Sequence, residues 1–335
     1  MSQSKSSRSR TNPERDALIK ELNQLRKELI RVMVGVDRPV DWCLIGLLAG
    51  GNVLIEDVPG TGKTMLAKAL ANLIDAKFNR VQCTPDLLPF DVTGGNIFNP
   101  KTNEFEFRPG PVFANILLAD ELNRATPRTQ SALLEAMGEQ SVTIDSKTYE
   151  LVRPFFVVAT QNSRDFEGTY NLPEAELDRF LLRFSIGYPT VELEDRILQA
   201  HQKGDPLSNI NSVITPERIV QLQNLTRAVH VAPAIREYIL RLVNATREHQ
   251  DLRLGASLRA SLGLVRASQA QAVLAGRDYV LPDDVKAIAE PVLVHRLILT
   301  LAAQSDGRRP ERVIEHILAR VPLPVAGPAE EVTES

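Results

Sequence analysis

Hydrophobic residues recur at helical spacing near the start of the chain. Their steps of four, three, four and three residues give Leu18, Leu22, Leu25, Leu29 and Val32. This spacing puts them on one face of an amphipathic helix, which we predict over residues 14–32. A second apolar pattern, Leu44 to Leu48, predicts another helix that ends at the glycine pair Gly50-Gly51.

Short apolar runs then alternate with helical patterns. The runs with strand character cover residues 53–55, 78–83, 116–119 and 155–160. Strands that alternate with helices favour a parallel α/β sheet covered by helices on both faces. After Tyr188 the strand signal disappears and helical patterns continue to Leu299, which predicts an all-α second domain.

These changes of pattern set the predicted boundaries. We expect disordered tails at 1–13 and 323–335, where the sequence is rich in Ser and Arg or in Pro, Ala and Glu. The other predicted units are an α/β domain at 14–190, hairpins within it near 92–108 and 141–152, a linker helix at 191–209 and a helical domain at 210–322.

The first strand leads into a glycine-rich loop. Its residues are Asp57-Val58-Pro59-Gly60-Thr61-Gly62-Lys63-Thr64, and strong helix formers follow. Strand, Gly-Lys-Thr loop and helix predict a phosphate-binding loop, in which Lys63 reaches the β- and γ-phosphates and Thr64 binds Mg²⁺. Asp57 replaces the usual first glycine, and we interpret this change as minor because that position only opens the loop.

Two carboxylates follow another buried strand. Asp120 and Glu121 come directly after four apolar residues, where parallel sheets bind ligands at the carboxyl ends of their strands. Asp120 would hold Mg²⁺ through water, and Glu121 would activate the attacking water as a general base. An acidic loop without function gives the same pattern, but the phosphate-binding loop favours the catalytic interpretation.

Three further polar residues have both a functional and a structural interpretation. Asn162 follows a strand, where its amide could orient the lytic water or only stabilise a turn. Arg179 could reach a γ-phosphate across a subunit interface, or form a surface salt bridge with Asp178 or Glu174. Arg183 is the alternative candidate for this role, that of an arginine finger.

Arg259 opens a predicted helix. It could contact phosphate or be a solvated charge at the helix end.

Composition narrows the function classes. The chain has a net charge of −3, which gives no overall basic field for nucleic acid. Its two cysteines, Cys43 and Cys83, have neither zinc-site spacing nor a secreted disulfide pattern, which favours a reduced cytoplasmic compartment. No apolar run approaches the ~20 residues of a membrane-spanning helix, so we expect no transmembrane segment.

The predicted hairpins carry balanced charge. Lys101 and Arg108 stand against Glu104 and Glu106 in the first hairpin. The second has one lysine against two acidic residues. Neither hairpin has the interleaved basic and aromatic residues that bind a single nucleic-acid strand. We expect the phenylalanines of the first hairpin, Phe98, Phe105 and Phe107, to pack locally.

Several stretches together resemble the MoxR family of AAA+ ATPases. Besides the loop at 57–64, the resemblance rests on Ala119-Asp120-Glu121-Leu122-Asn123-Arg124-Ala125, Thr129 to Met137, Ala159-Thr160-Gln161-Asn162, Leu172 to Phe180 and Gly255-Ala256-Ser257-Leu258-Arg259-Ala260. It covers roughly residues 15–320. One departure is Leu258, which stands where the family often has proline.

The resemblance implies a P-loop NTPase fold: an AAA+ module with a helical lid, assembled into a hexameric ring. It assigns Asn162 to sensor 1, Arg179 to the arginine finger and Arg259 to sensor 2, acting on its own or a neighbour's nucleotide. The hairpins at 92–108 and 141–152 correspond to the helix-2 insert and the pre-sensor-1 hairpin. The implied ATP-binding residues are Val34, Gly35, Pro59, Gly60, Thr61, Gly62, Lys63, Thr64, Met65 and Arg259.

The resemblance also implies a chaperone-like ATPase with a von Willebrand factor A domain partner. Such a protein would mature or activate protein complexes or insert metal cofactors. Two alternatives are a nucleic-acid motor related to MCM helicases, which share the two hairpins, and a regulatory scaffold that binds ATP without hydrolysis. The balanced hairpin charge argues against the first, and intact Asp120, Glu121 and Arg179 argue against the second.

Overall fold

The structure is a computed structural model that describes residues 13–162, 169–202, 204–208 and 210–324. The predicted disordered tails, 1–13 and 323–335, lie outside the described residues except for Pro13, which begins α1, and residues 323–324. Among the residues that are described, no helix is both long enough and apolar enough to cross a membrane.

The helices are α1 (Pro13–Val32), α2 (Asp37–Leu48), α3 (Lys63–Ile74), α4 (Pro89–Thr93), α5 (Pro127–Glu139), α6 (Glu174–Leu177), α7 (Val191–Gln202), α8 (Pro216–Arg227), α9 (Pro233–Arg247), α10 (Leu258–Leu274), α11 (Pro282–Leu293), α12 (Leu301–Ser305) and α13 (Pro310–Arg320). Short 3₁₀ turns cover Leu122–Arg124 and Val294–Arg296.

The strands are β1 (Val53–Glu56), β2 (Phe78–Gln82), β3 (Gly94–Asn99), β4 (Glu104–Pro109), β5 (Ile116–Asp120), β6 (Ser141–Ile144), β7 (Lys147–Glu150), β8 (Phe156–Gln161), β9 (Leu182–Phe184), β10 (Leu252–Leu254) and β11 (Ile298–Leu299). Five of them form a parallel sheet in the order β2-β5-β8-β1-β9.

The central strands are apolar throughout because both faces of the sheet are covered. Alternate residues of one strand enter two different hydrophobic cores. Leu118 and Val158 face the core that continues through α1, α2 and α3 into the helical lid. Leu117 and Val157 face the core formed with α5 and the hairpins. Both faces of the sheet are therefore packed against other elements, and this packing fixes the position of its carboxyl edge.

The lid packs around α10, which contacts α2 of the α/β domain as well as α8, α9 and α11. The expectation of an all-α lid needs one correction, because β10 and β11 form a short antiparallel pair within it. Strands of two and three residues are too short to show the alternation by which a strand is predicted. The last part of the predicted helical pattern, up to Leu299, divides into α11, a 3₁₀ turn and β11.

The sequence analysis also missed two elements of the α/β domain. One is β9, which pairs in parallel with β1 at the sheet edge. The other is α4, a single helical turn of five residues between the second strand and the first hairpin. Both are too short to show a periodic pattern.

The two hairpins contact each other. The ring of Phe107 on β4 stacks on Tyr149 of β7 at 4.1 Å, and Asn96 donates a 2.7 Å hydrogen bond to Asp145. Phe107 thus packs locally, as expected. Phe98 and Phe105 pack on each other, with ring centroids 5.5 Å apart, and stay 46% and 71% exposed.

Candidate functional site

The carboxyl ends of β1, β5 and β8 meet at one edge of the sheet and line a cleft of about 380 Å³. The lining residues are Pro59, Gly60, Gly62, Lys63, Thr64, Met65, Asp120, Glu121 and Asn162. The sequence analysis had named all nine as candidate site residues. The structure therefore brings together groups that are up to about a hundred residues apart in the chain.

The loop after β1 has the geometry of an anion cradle. Gly60 and Gly62 have φ angles of 86° and 90°, in the left-handed region that side chains disfavour. Gly62 is also the N-cap of α3, and no side chain of the described residues caps this helix. The first N–H groups of α3 thus lack intrahelical partners and point toward the cleft, which fits a phosphate group.

Lys63 is folded over the loop. Its ammonium donates hydrogen bonds to the carbonyl oxygens of Asp57 and Val58, at 2.8 and 3.2 Å. Partial burial lowers the pKa of Lys63, although the nearby carboxylates of Asp57, Asp120 and Glu121 act in the opposite direction. A partly desolvated cation at this position favours an anionic ligand that would compensate its charge.

Asp57 has a larger role than the sequence indicated. Its carboxylate is 6% exposed and accepts hydrogen bonds from the backbone N–H groups of Val58, Ile186 and Gly187, at 2.9, 2.9 and 2.7 Å. Replacement of the usual glycine is therefore not a minor change. Asp57 fastens the start of the loop to the chain that follows β9.

Asp120 is held by two side chains. Its Oδ1 accepts a 2.6 Å hydrogen bond from the hydroxyl of Thr160, and its Oδ2 pairs with Arg80 at 2.6 Å. Thr160 lies on the neighbouring strand β8, and Arg80 lies on β2. Together with the hydroxyl of Thr64, the Asp120 carboxylate offers the oxygen donors that Mg²⁺ prefers.

Glu121 has an unusual backbone conformation, with a φ angle of 56°. Its backbone N–H donates to Thr160 at 2.8 Å, and its Oε2 accepts hydrogen bonds from Gln82 and Arg124, both at 3.0 Å. Thr160 and Gln82 thus fix the backbone and the side chain separately. The carboxylate stays at the cleft, where a general base has to be.

The turn after α1 reaches the same region. A Cβ atom on Gly62 would lie 3.5 Å from Cε of Met33, so this turn lies close to the loop. A Cβ atom on Gly35 would lie 2.5 Å from the side chain of Leu193 on α7. Val34 and Gly35, the predicted adenine contacts, therefore lie near the loop and α7 but do not line the cleft itself. Thr61 is buried in the loop and donates to the carbonyl of Val58.

The candidate arginines do not line the cleft. Arg179 is exposed, and its guanidinium donates to the carbonyl oxygen of Leu134 on α5 at 2.9 Å. Arg259 pairs with Asp178 at 3.2 Å, so it lies next to Arg179. Arg183 forms an ion pair with Glu56 on the adjacent strand. The sequence analysis did not foresee that Arg259 would pair with Asp178, the residue before Arg179.

Thr160, Arg80 and Gln82 were missed as site residues. Arg80 and Gln82 are two residues apart on β2, and Gln82 is in register with Asp120. Polar side chains at alternate positions near the carboxyl end of a strand were the available signal. The sequence does not show the order of the strands in the sheet, so it could not show that β2 lies beside β5.

Comparisons with known proteins agree with this geometry. A family model described as "ATPase family associated with various cellular activities (AAA)" matches residues 52–182, and an AAA lid domain model matches residues 244–317. The chain is 42% identical to the chaperone MoxR1 of Mycobacterium tuberculosis, over 89% of this chain and 81% of that protein. It is 33% identical to the protein MoxR of Paracoccus denitrificans, over 88% and 94%.

The chain belongs to the MoxR family of AAA+ ATPases. It is also 49% identical to the YeaC protein of Bacillus subtilis, over 91% of this chain and 95% of that one. The solved structure of a candidate ATPase from Cytophaga hutchinsonii superposes with a TM-score of 0.87 at 38% identity, covering 92% and 96% of the two chains. As an AAA-family ATPase, this MoxR-family chain binds nucleotide.

Proposed function

We propose that this chain is a Mg²⁺-dependent ATPase that hydrolyses ATP to ADP and phosphate in order to remodel a protein client. The observation that carries the proposal is the position of Glu121, whose carboxylate lines the same cleft as Lys63 and Thr64. A base beside a phosphate cradle is the arrangement that hydrolysis requires. A scaffold that only binds ATP would not need Glu121 fixed there.

Each cleft residue then has a role. Lys63 and the N–H groups of the loop bind the β- and γ-phosphates, and Asn162 orients the attacking water. Glu121 accepts the proton of that water. Thr64 and Asp120 would hold Mg²⁺, which supplies charge neutralisation of the phosphates when it is bound. Val34, Gly35 and Met65 contact the nucleoside.

Arg179 completes the site of a neighbouring subunit. It is exposed and absent from the lining of its own cleft, and Arg259, which pairs with Asp178, is absent from that lining as well. Both arginines are therefore proposed to act in trans. We favour Arg179 over Arg183 as the finger, and the ion pair of Arg183 with Glu56 in the sheet of its own chain supports this choice. Head-to-tail contacts of this type close into rings, and we propose a hexamer.

The proposal also includes the domain boundaries of the chain. We propose a core at 14–190, a linker helix at 191–209 and a lid at 210–322. The chaperone name of the M. tuberculosis relative supports a remodelling function. The proposed setting is cytoplasmic, with a von Willebrand factor A domain partner and a client complex that is matured, activated or loaded with metal.

The test is the substitution Glu121→Gln. We expect unchanged binding of a fluorescent ATP analogue and loss of phosphate release, because the amide cannot accept the proton. Glu237→Gln, on the exposed surface of α9, is the matched control and should retain turnover. Turnover retained by Glu121→Gln would refute the assigned base. The ATP-bound variant should also trap its client for identification.

The same assay tests the nucleic-acid alternative. Addition of single-stranded DNA should leave turnover unchanged, because Lys101 and Arg108 of the first hairpin are balanced by Glu104 and Glu106 and give no basic track. DNA-stimulated turnover with a steep salt dependence would support a motor instead.

A further inference from the structure

A buried arginine of the lid contacts the segment that bears the proposed finger. Arg296 is 8% exposed and lies in the 3₁₀ turn that follows α11. Its Nε donates to the carboxylate of Asp178 at 2.6 Å. Its Nη1 and Nη2 donate to main-chain carbonyl oxygens of Asp178, Phe180 and Leu181, at 3.3, 2.6 and 3.2 Å.

These contacts surround Arg179 without touching its side chain. The residue before it, Asp178, gives two acceptors to Arg296, and the two residues after it give one each. The guanidinium also donates to the carbonyl of Val292 in α11. Arg296 therefore links the backbone around Arg179 to the end of α11.

Only a guanidinium can make this set of contacts. Its five N–H groups lie in one plane in a fixed fork, whereas an ammonium group has three donors at a single point. Burial of the charge is compensated by Asp178 and by the carbonyl oxygens, which satisfy the donors. Such a network fixes geometry, because any displacement of the segment leaves a buried donor without a partner.

The side chain of Arg179 has few contacts of its own, and its backbone is held by Arg296 together with His295, which donates to the carbonyl of Phe180. The guanidinium of Arg179 reaches only one described hydrogen-bond acceptor, the carbonyl oxygen of Leu134. The helix before it, α6, has only four residues and buries none of them. The direction of the Arg179 side chain, the proposed finger, thus depends on the residues that hold the backbone of Arg179.

We propose that Arg296 is a positioning residue for Arg179, so that the orientation of the lid sets the placement of the finger in the neighbouring active site. This inference rests on the proposed trans role of Arg179. Arg296 lines no part of the cleft of its own chain, so its loss should leave nucleotide binding intact.

The first measurement is steady-state turnover. Arg296→Met should lower kcat about 100-fold with little change in KM, because a misplacement of about 1 Å has an effect of this size. Arg296→Lys, which keeps the charge but loses the fork, should restore only part of the rate. Arg277→Met is the matched control, since Arg277 forms a comparable lid ion pair with Asp284, and it should keep kcat.

The decisive measurement uses mixed rings. Arg296→Met subunits should recover activity when mixed with Glu121→Gln subunits, because these supply intact fingers to the intact Glu121 of the variant. With random assembly in equal amounts, about one quarter of the interfaces are productive. Mixed with Arg179→Ala subunits, the same variant should stay inactive, because both lack a working finger.

The outcomes separate the explanations. Recovery with Glu121→Gln also shows that the Arg296→Met subunit folds and assembles. If that mixture stays inactive while Arg179→Ala with Glu121→Gln recovers, the positioning role is wrong. If Arg179→Ala with Glu121→Gln also fails, the trans finger is wrong and this inference fails with it. Wild-type kcat in Arg296→Met overturns it directly.

A second variant tests the proposal if Arg296→Met does not fold. Should Arg296→Met be insoluble, Arg296→Lys keeps the buried charge opposite Asp178 and loses the fork. It should lower kcat about tenfold, because donors at a single point replace five planar N–H groups, and the same two mixtures apply. Activity that matches the parent, or failure to recover with Glu121→Gln, would overturn the proposal.

Discussion

The hydroxyl of Thr160 connects the two acidic residues of the cleft. It donates to Oδ1 of Asp120 at 2.6 Å and accepts the backbone N–H of Glu121 at 2.8 Å. Since a hydroxyl has one donor, its direction is fixed by the carboxylate of Asp120. The left-handed backbone of Glu121 is thereby held from the adjacent strand, a support that pre-organises the site.

Thr160→Val should therefore slow hydrolysis without unfolding the protein. The substitution keeps the shape of the side chain but removes both hydrogen bonds, and we expect kcat to fall 10- to 100-fold. Phosphate release under saturating ATP measures the effect. Thr160→Ser keeps the hydroxyl and is the control. A valine variant as active as the serine variant would contradict the role.

Asp57→Gly would restore the usual first glycine of the loop but should destabilise this chain. Three backbone N–H groups would lose a buried charged acceptor, and we expect a loss of about 3 kcal/mol in the free energy of unfolding. Urea denaturation without nucleotide measures it. Asp57→Asn keeps one acceptor oxygen and should be intermediate. Equal stability of the glycine variant would refute the anchor.

His295 predicts a stability change at mildly acidic pH. Its Nε2 donates to the carbonyl of Phe180 at 3.1 Å, so the neutral ring carries its proton there. Burial, and then the charge of Arg296, lower its pKa well below the usual value. Because the unfolded chain binds this proton first, stability is full above about pH 6.5 and falls below it by up to about 1.4 kcal/mol per pH unit.

His295→Gln should flatten this slope between pH 6.5 and 5, measured as the free energy of unfolding at each pH. The exposed His230→Gln is the control and should keep the parent slope. A slope unchanged by His295→Gln would assign the pH dependence to other groups.

The contact between the hairpins should give a measurable coupling energy. A double-mutant cycle with Phe107→Leu and Tyr149→Leu should give about 0.5–1.5 kcal/mol, as expected for stacked rings. Phe98→Leu removes one ring of the exposed Phe98–Phe105 pair, and its change in the free energy of unfolding should be additive with that of Tyr149→Leu. Additivity in the first cycle would mean that the hairpins are independent.

Local patterns predicted much of this molecule. The loop at 57–64 and the acidic pair at 120–121 are contiguous in sequence, and each follows an apolar strand. Thr160 and Arg296 could not be predicted in the same way, because their importance depends on which strand or loop lies beside them. The role of Asp57 was misjudged for the same reason, since two of its three N–H partners lie about 130 residues away.

The pairing of Arg80 with Asp120 and of Arg124 with Glu121 has a consequence for metal selectivity. Each acidic residue of the cleft is already neutralised by a guanidinium, and Lys63 adds a further positive charge. A free divalent cation thus meets a region with no excess of negative charge, and it gains little by displacing Arg80. A bound triphosphate would supply the missing negative charge, so we expect the cleft to favour metal that arrives already bound to nucleotide.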